Sequence, residues 1–250
     1  MTEPDKHTIA EAIERYRRRT GKLPQPPRAV LFDMDGVLFN SMPGHAAAWK
    51  RMCDENGIPA SEEEFFAYEG RTGASTINIL FRRTYGREAS TEEIEKLYAR
   101  KSELFRKMPP VDTMAGAREA LDLCRTEGIP SVLVTGSGQS SLLKRLDAEF
   151  PEAFPSGRRV TAADVSHGKP DPEPFIKGRE KAGAGIVPEA VVAVDNAPLG
   201  VRSASESGAF TIGVNTGPIP HGALLEAGAD IELKSMEECT NLLRELFHIV

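Results

Sequence analysis

One segment, residues 30–38, constrains the fold more than any other part of this sequence. Its apolar run Val-Leu-Phe ends abruptly in Asp33, and a second acid, Asp35, follows two positions later, before Gly36. A short apolar run that breaks into polar residues and glycine is typical of a buried strand. Ligands of open α/β sheets bind at the carboxyl ends of strands, so both carboxylates are candidate site residues. A solvated Asp-rich turn is the alternative for this segment alone.

Length and composition restrict the class of protein. The chain has 250 residues, of which 40% are hydrophobic and 27% are charged. These values are ordinary for a globular protein and suffice for one large domain, or for a domain with a smaller insert. No apolar run approaches the ~20 residues that a membrane-spanning helix needs. We therefore predict a protein without membrane contact.

Charge, cysteines and the amino-terminal segment narrow the context further. The net charge of −6 provides no electrostatic basis for binding nucleic acid. The three cysteines are widely spaced and form no CxxC pair, so we expect core thiols rather than disulfides or a zinc site. Residues 1–9 are polar and lack the apolar core of a signal peptide. We predict a cytoplasmic protein, expected to be a monomer.

The spacing of apolar residues divides the chain into three parts. Residues 1–27 contain a helix at 8–20, whose arginines we expect on a solvated face, and a linker rich in Gly and Pro. Residues 42–110 form a helical insert without a convincing strand. Its predicted helical blocks lie at 46–56, 61–68, 74–85 and 91–107. The rest of the chain, 28–41 and 111–250, has a different texture and is assigned to one core domain.

Helices and short apolar strands alternate in this core domain. After the first strand, further strands are predicted at 131–135, 159–162, 190–195, 210–214 and 230–233. The helices between them are predicted at 115–127, 140–149, 174–182 and 199–207. Such alternation indicates a parallel sheet that helices cover on both faces. We predict an α/β fold with a doubly wound parallel, Rossmann-like sheet, and with the helical-bundle insert as a cap domain over the strand ends.

Two loops contain groups suited to binding a phosphate. The second strand ends in Thr135, Gly136 and Ser137, which offer hydroxyls and unhindered backbone N–H groups just before a helix. Lys169 lies in a loop with alternating prolines, which hold the backbone stiff. Taken singly, a glycine-rich turn and an ordinary surface lysine are the alternatives.

A further strand end contributes oxygen ligands. The apolar run 191–194 ends in Asp195 and Asn196, and Gly200 follows. Together with Asp33, these side chains suit Mg²⁺, which prefers oxygen ligands in an octahedron and also takes water and substrate phosphate oxygens. Four strand-end motifs at one sheet edge are much more specific than any one of them.

The order and spacing of these motifs resemble the haloacid dehalogenase superfamily of phosphotransferases. The motifs are Asp33-x-Asp35-Gly36-Val37, Thr135-Gly136-Ser137, Lys169-Pro170 and Asp195-Asn196-x-x-x-Gly200. The position of the helical insert, together with Asn40-Ser41, His45, Trp49 and the proline-rich lysine loop, is similar to its β-phosphoglucomutase-like branch. The resemblance covers residues 28–236.

The resemblance implies phosphoryl transfer in two steps. Asp33 would attack phosphorus and form an aspartyl-phosphate, while Asp35 would serve as acid and then as base. The other residues implied by the resemblance are Thr135, Lys169, Met34, Gly136 and Ser137 for the substrate, and Asp33, the Asp35 carbonyl, Asp195 and Asn196 for Mg²⁺.

The metal motif departs from that of the sugar mutases. Asn196 stands where they carry a second acid, so one negative charge is missing. Glu69 is a candidate metal ligand to replace it, because a small group of relatives resembling inorganic pyrophosphatases carries the same Glu-Gly-Arg-Thr-Gly-Ala-Ser pattern as residues 69–75. A ligand from the cap would link cap closure to metal binding. The alternative for Glu69 is a surface acid beside a helix.

Other departures concern the choice between hydrolysis and mutase activity. The sugar mutases carry an arginine at the position of Gly73, whereas the nearby arginine of this chain is Arg71. After Ser137, this chain has Gly138-Gln139 where the mutases carry a polar pair. A mutase must hold a bisphosphorylated intermediate by its distal phosphate, whereas hydrolysis needs no such clamp. His45 is a candidate substrate contact, with plain helix packing as the alternative.

These residues predict a Mg²⁺-dependent phosphohydrolase for a small phosphorylated anion. Pyrophosphate is the first candidate substrate and a sugar phosphate is the second. A β-phosphoglucomutase-type phosphohexomutase is the alternative, since both activities share the core residues. A non-catalytic module on the same fold is a third hypothesis, against which the complete set of acids and lysine argues.

Overall fold

A six-stranded parallel sheet forms the centre of the computed structural model, which describes residues 6–136 and 140–248. The strands are β1 (Ala29–Phe32), β2 (Ser131–Val134), β3 (Arg159–Val160), β4 (Val191–Asp195), β5 (Phe210–Val214) and β6 (Ile231–Leu233). Their order across the sheet is β3-β2-β1-β4-β5-β6, and each neighbouring pair is parallel. The predicted fold class is confirmed.

The helices in the described residues lie before, between and after these strands. They are α1 (Lys6–Thr20), α2 (Met42–Glu55), α3 (Glu64–Ala67), α4 (Gly73–Tyr85), α5 (Thr91–Arg106), α6 (Ala117–Thr126), α7 (Ser140–Glu149), α8 (Glu173–Ala182), α9 (Pro198–Glu206), α10 (Ala223–Glu226) and α11 (Met236–Phe247). The helices predicted between the strands of the core begin and end within two residues of α6 to α9. The sequence-based prediction omitted α10 and α11.

Each face of the sheet has its own hydrophobic cluster. Val30 and Phe32 of β1 pack in the larger cluster, which also contains side chains of α1, α6, α7 and α11. Leu31 between them packs on the opposite face, with side chains of α8 and α9. Successive side chains of a strand point to opposite faces, so a strand buried on both faces needs a continuous apolar run. This explains why the strands are visible in the sequence.

The helical insert, α2 to α5, has a separate hydrophobic cluster. It contains no strand, as predicted, although α3 is shorter than the predicted block. Side-chain caps mark two of its helix starts. Thr72 accepts a hydrogen bond from the Ser75 backbone before α4, and Ser90 forms a capping box with Glu93 before α5.

The amino-terminal helix α1 packs against the sheet domain. Tyr16 is fully buried in the larger cluster, and its hydroxyl donates to the carbonyl of Gly208 at 2.9 Å. Arg19 pairs with the buried carboxylate of Asp230 at 2.7 Å. The prediction of a solvated arginine face is therefore wrong for Arg19, because residues three apart share one helix face and Arg19 lies beside Tyr16. It holds for Arg18, which pairs with a glutamate at the surface.

All three cysteines are buried free thiols, as predicted. Burial raises the pKa of Cys53 and of Cys124 to about 12, which makes these thiols unreactive. Within the described part of the chain, no helix has both the length and the apolar character needed to cross a bilayer.

The sheet order places the site. Since β1 lies between β2 and β4, the carboxyl ends of these three strands meet at one edge. The connection after β1 leads to β2 on one side and the connection after β4 leads to β5 on the other, which opens a crevice at this switch point. The insert begins directly after β1 and its turn, so it stands over this crevice.

Candidate active site

Three predicted motifs meet at the carboxyl ends of β1, β2 and β4. Asp33 follows β1 directly, and its backbone N–H donates to the carbonyl of Val194 at 3.0 Å. Thr135 follows β2, and Asp195 is the last residue of β4. All three polar side chains are buried. The parallel sheet alone is enough to bring them together.

Lys169 connects the two acids of this group. Its Nζ lies 2.5 Å from Oδ1 of Asp33 and 2.7 Å from Oδ2 of Asp195. Burial lowers the pKa of Lys169, but the two carboxylates outweigh this effect and raise it, so the ammonium stays charged. Burial raises the pKa of Asp33 to about 7; Lys169 opposes this rise, and Asp195 and Asp35 add to it. Burial is thus the main reason why the carboxyl of Asp33 resists ionisation.

Two glycines allow the backbone to close on these groups. A Cβ at Gly200, in the first turn of α9, would lie 2.1 Å from the carboxylate oxygens of Asp195. A Cβ at Gly36 would lie 1.9 Å from Nδ2 of Asn196, and Gly36 also has a φ of +77°. Contact with Asp195 and Asn196 thus explains why both motifs contain a glycine at a fixed spacing.

Hydrogen bonds from Ser41, just before the insert, and from His45 in α2 reach Asp35. Its Oδ1 accepts from Oγ of Ser41 at 2.5 Å and from Nε2 of His45 at 3.0 Å. The other ring nitrogen of His45, Nδ1, lies 2.7 Å from Nζ of Lys101. Since the lysine nitrogen donates, we assign Nδ1 as the acceptor and place the ring proton on Nε2, which donates it to Asp35.

These contacts set the charges of Asp35 and His45. Burial raises the pKa of Asp35, but His45 and Ser41 outweigh it and hold the pKa below its usual value. Burial and the charge of Lys101 lower the pKa of His45. Asp35 is therefore a carboxylate and His45 is neutral at neutral pH.

Lys101 was missed by the sequence reasoning. It lies in α5 and is 3% exposed, with its ammonium 5.2 Å from the ring centre of Trp49 and 5.5 Å from that of Phe105. Burial lowers its pKa to about 7, although Asp35 opposes this. The helical spacing of the sequence could have predicted that Lys101 is buried. Lys101 comes four residues after Leu97 and four before Phe105, on the apolar face of the helix.

Replacing Lys101 by methionine should stabilise the folded protein, most strongly at acidic pH. The pKa of Lys101 is about 7 in the folded chain, against an ordinary value of 10.5. Its cost to stability is therefore complete below pH 7 and disappears as the pH rises toward the unfolded value. We expect Lys101→Met to raise the free energy of unfolding by about 1–4 kcal/mol at pH 6.5 and by less at pH 10, measured by urea denaturation.

Lys96→Met is the matched control, since Lys96 is exposed on the same helix. It should change the free energy of unfolding little at either pH. Destabilisation by Lys101→Met to the same extent at both pH values would contradict the lowered pKa of Lys101.

The insert closes the site into a cavity of about 60 Å³. Asp33, Asp35 and Gly136 line it from the sheet domain, and the insert contributes aromatic rings and Lys101. The two parts approach closely, since a Cβ at Gly136 would lie 2.5 Å from the carbonyl oxygen of Gly70. Closure of this kind removes water from the reacting groups and strengthens electrostatic interactions among them.

Glu69 contacts the metal motif directly. Its Oε1 accepts a hydrogen bond from Nδ2 of Asn196 at 2.9 Å. Burial raises the pKa of Glu69 well above its usual value; Asn196 opposes this, and Asp33 and Asp195 add to it. The alternative of a free surface acid is therefore inconsistent with the structure, because Glu69 lies in the cavity wall with a partner in the sheet domain.

The polar atoms around Asn196 fit a divalent cation. Oδ1 of Asn196 is buried and has no hydrogen-bond partner among the described residues. The negative charge of Asp195 adds to the raised pKa of Asp33, and the charges of Asp33 and Asp195 add to the raised pKa of Glu69. Within residues 6–136 and 140–248, however, no three His, Cys, Asp or Glu side chains have metal-site spacing. An octahedral Mg²⁺ site needs fewer, since amide, carbonyl and water oxygens complete it.

The remaining candidates lie in different places. Met34 is fully buried in the larger cluster, so only its backbone is available to a substrate. Arg71 lines the cavity, with Nη1 3.3 Å from Oγ of Ser75 and a buried Nε that lacks a partner in the described part of the chain. Both ring nitrogens of His45 contact protein side chains, and His45 also lines the cavity, so its predicted substrate contact stays a prediction. Ser137 lies outside the described residues.

Fold and site define an α/β protein with a capped, acidic cleft at the strand ends of a parallel sheet. Residues 27–208 match the model of the haloacid dehalogenase-like hydrolase family, and the chain belongs to this family. The resemblance seen in the sequence motifs is thereby confirmed.

Similar proteins include both phosphatases and mutases. A phosphorylated carbohydrates phosphatase of Thermotoga maritima is 31% identical over 87% of this chain and 99% of its own length. The β-phosphoglucomutase of Bacillus subtilis is 23% identical over 84% of this chain and 94% of its own. A solved structure from Bacteroides vulgatus, provisionally described as a β-phosphoglucomutase, is 42% identical with a TM-score of 0.91, covering 98% of this chain and all of that one.

Proposed function

We propose that the protein is a Mg²⁺-dependent phosphohydrolase that acts through an aspartyl-phosphate on a small phosphorylated anion. The contact of Lys169 with both Asp33 and Asp195 is the observation that carries this proposal. It holds Asp33 at the end of β1 as a nucleophile, beside a cation that can bind phosphoryl oxygens. The family and its phosphatase members support the reaction class.

The chemistry follows from the two acids. In the first step, a carboxylate oxygen of Asp33 bonds to phosphorus while the bond to the leaving oxygen breaks. Asp35, a carboxylate in the free protein, takes up a proton when the anionic substrate binds beside it and delivers that proton to the leaving oxygen. In the second step, Asp35 takes a proton from water as the water oxygen attacks phosphorus. This frees inorganic phosphate and regenerates Asp33. Ser41 and His45 hold the carboxylate of Asp35 in place for both steps.

The same site accommodates the phosphoryl group and a cation. Lys169, Thr135 and the backbone of Gly136 are the groups positioned to bind phosphoryl oxygens. When bound, Mg²⁺ neutralises charge that accumulates on the transferring group. The residues that would hold it are Asp33, the carbonyl of Asp35, Asp195, Asn196 and Glu69.

We favour hydrolysis of a compact phosphorylated anion. The resemblance of residues 69–75 to pyrophosphatase-like relatives is the support for pyrophosphate, and the phosphatase from Thermotoga maritima supports a sugar phosphate. The high similarity to the Bacteroides vulgatus structure keeps a phosphohexomutase as the second candidate.

Substrate turnover separates these possibilities. We would measure kcat/KM with Mg²⁺ for pyrophosphate, for a panel of sugar phosphates, and for β-glucose 1-phosphate primed with the bisphosphate. Release of inorganic phosphate from one class of compact substrate is the expected result. Efficient formation of glucose 6-phosphate without phosphate release would overturn the hydrolase proposal in favour of the mutase.

Glu69→Gln should weaken binding of Mg²⁺ by about tenfold or more. The amide can still accept the hydrogen bond from Asn196, so the variant removes mainly the negative charge. Loss of one ligand or its supporting partner typically costs about 10–100-fold in metal affinity. Isothermal titration of the free protein with Mg²⁺ measures the change directly, independently of turnover.

Glu62→Gln is the control for this titration, since Glu62 is exposed in the same part of the insert. It should bind Mg²⁺ like the wild type. Equal Mg²⁺ affinity of Glu69→Gln, Glu69→Ala and the wild type would remove Glu69 from the metal site and leave the rest of the proposal standing.

A further inference from the structure

Gly73 has no conformational reason to be a glycine. It is the first residue of α4, and its φ is not in the left-handed region. Glycine in a helix is less favourable than alanine by up to about 1 kcal/mol, so a helical glycine usually reflects a close contact. That contact is with Tyr98, since a Cβ at position 73 would lie 2.2 Å from Cδ2 and 2.3 Å from Cε2 of the ring.

Tyr98 packs against the hydrophobic cluster of the insert and also stands in the wall of the cavity. It is only partly buried, and it lines the cavity together with Gly73, Asp33 and Asp35. Its ring centre lies 6.1 Å from that of Trp49, and the ammonium of Lys101 lies 6.0 Å from it. One edge of the Tyr98 ring therefore lies against the backbone of Gly73, and the ring also borders the cavity between α2, α4 and α5.

We propose that Tyr98, seated against Gly73, is a specificity-determining residue that limits the size of the substrate's leaving group. This inference rests on the proposed phosphohydrolase function. The ring takes up space beside the two acids that a bulkier leaving group would need, and a side chain at position 73 would push the ring out of its place. The site therefore selects compact phosphorylated anions over hexose phosphates.

Enlarging the cavity should shift this selection. The quantity to compare is the kcat/KM for glucose 6-phosphate divided by that for pyrophosphate or acetyl phosphate. We expect Tyr98→Ala to raise this ratio by at least about tenfold, because a change in pocket volume alters discrimination between substrates by about 10–200-fold. Tyr98→Phe keeps the ring and should keep the wild-type ratio. Tyr85→Ala removes an exposed tyrosine of α4 and is the control for loss of a ring elsewhere in the insert.

Thermal unfolding tests the contact itself. Gly73→Ala should lower Tm in the wild-type background, because the methyl group collides with the ring. In the Tyr98→Ala background the same substitution should leave Tm unchanged or raise it, because alanine favours the helix. This reversal of sign would not occur if Gly73 and Tyr98 were independent packing residues.

The outcomes separate this inference from the proposed function. Wild-type turnover with an unchanged substrate ratio in Tyr98→Ala would overturn the role of Tyr98 and leave the hydrolase intact. Destabilisation by Gly73→Ala in both backgrounds would likewise overturn the contact argument. Absence of phosphate release from every substrate in the wild type would overturn the proposed function, and the role of Tyr98 with it.

Discussion

Asp33→Asn should abolish turnover while the protein remains folded. The amide has the shape of the carboxylate but cannot act as the nucleophile, so we expect kcat/KM to fall by at least about 10⁴-fold for every substrate. Stability should change little, because Lys169 retains Asp195 as its partner. Burial already opposes the ionisation of Asp33, whose pKa is raised to about 7. Phosphate release and mass spectrometry of acid-quenched protein measure turnover and the phosphorylated form.

Asp54→Asn is the control for this experiment. Asp54 is an exposed acid that pairs with Lys50 on the outer surface of α2, and its loss should leave turnover unchanged. Turnover by Asp33→Asn within about tenfold of the wild type would contradict the role of Asp33 as nucleophile. A phosphorylated protein that persists in this variant would place the covalent step on another residue.

Lys169→Met should be the most destabilising of these substitutions. It removes the ammonium that lies 2.5 Å and 2.7 Å from two buried carboxylates and leaves both without that counterion. Removing one partner of a buried ion pair costs about 3–5 kcal/mol. We expect a loss of this size in the free energy of unfolding at pH 8, measured by urea denaturation, together with loss of turnover.

The loss caused by Lys169→Met should shrink at pH 5. Without the lysine, the folded-state pKa of Asp33, which burial already raises to about 7, should move further above the value of the unfolded chain. The folded state then binds more protons, so its stability is retained at low pH and is lost as the pH rises through this pKa. An equal loss at pH 5 and pH 8 would contradict the charge argument and indicate lost packing against Phe175. Lys177→Met, at the surface of α8, is the matched control.

The strands were predictable because burial on both faces leaves a local trace. Val30, Leu31 and Phe32 all had to be apolar, since each packs in one of two clusters. The end of the chain lacked such a trace. Met236, Cys239 and the leucines after them have helical spacing in α11, but a short apolar pattern without a following element does not separate helix from strand.

The position of the acids was also predictable, whereas their partners were not. Asp33 follows β1 and Asp195 ends the neighbouring parallel strand β4, so the sheet brings them together. The prediction that Lys169 acts beside them rested on a loop and a resemblance, and the distance to both carboxylates came from the structure. Likewise, Glu69 was proposed from a pattern, but its contact with Asn196 depends on how the insert closes.

Local pattern in the sequence is therefore enough to specify the parallel sheet and the edge at which Asp33, Asp35 and Asp195 stand. Strand burial and strand direction are properties of short segments, which is why they can be recognised without the fold. The packing of the insert alone decides that Lys101 meets His45, 56 positions away in the chain, and that Tyr98 rests on Gly73. Such contacts depend on the angles at which helices pack, and no single segment contains that information.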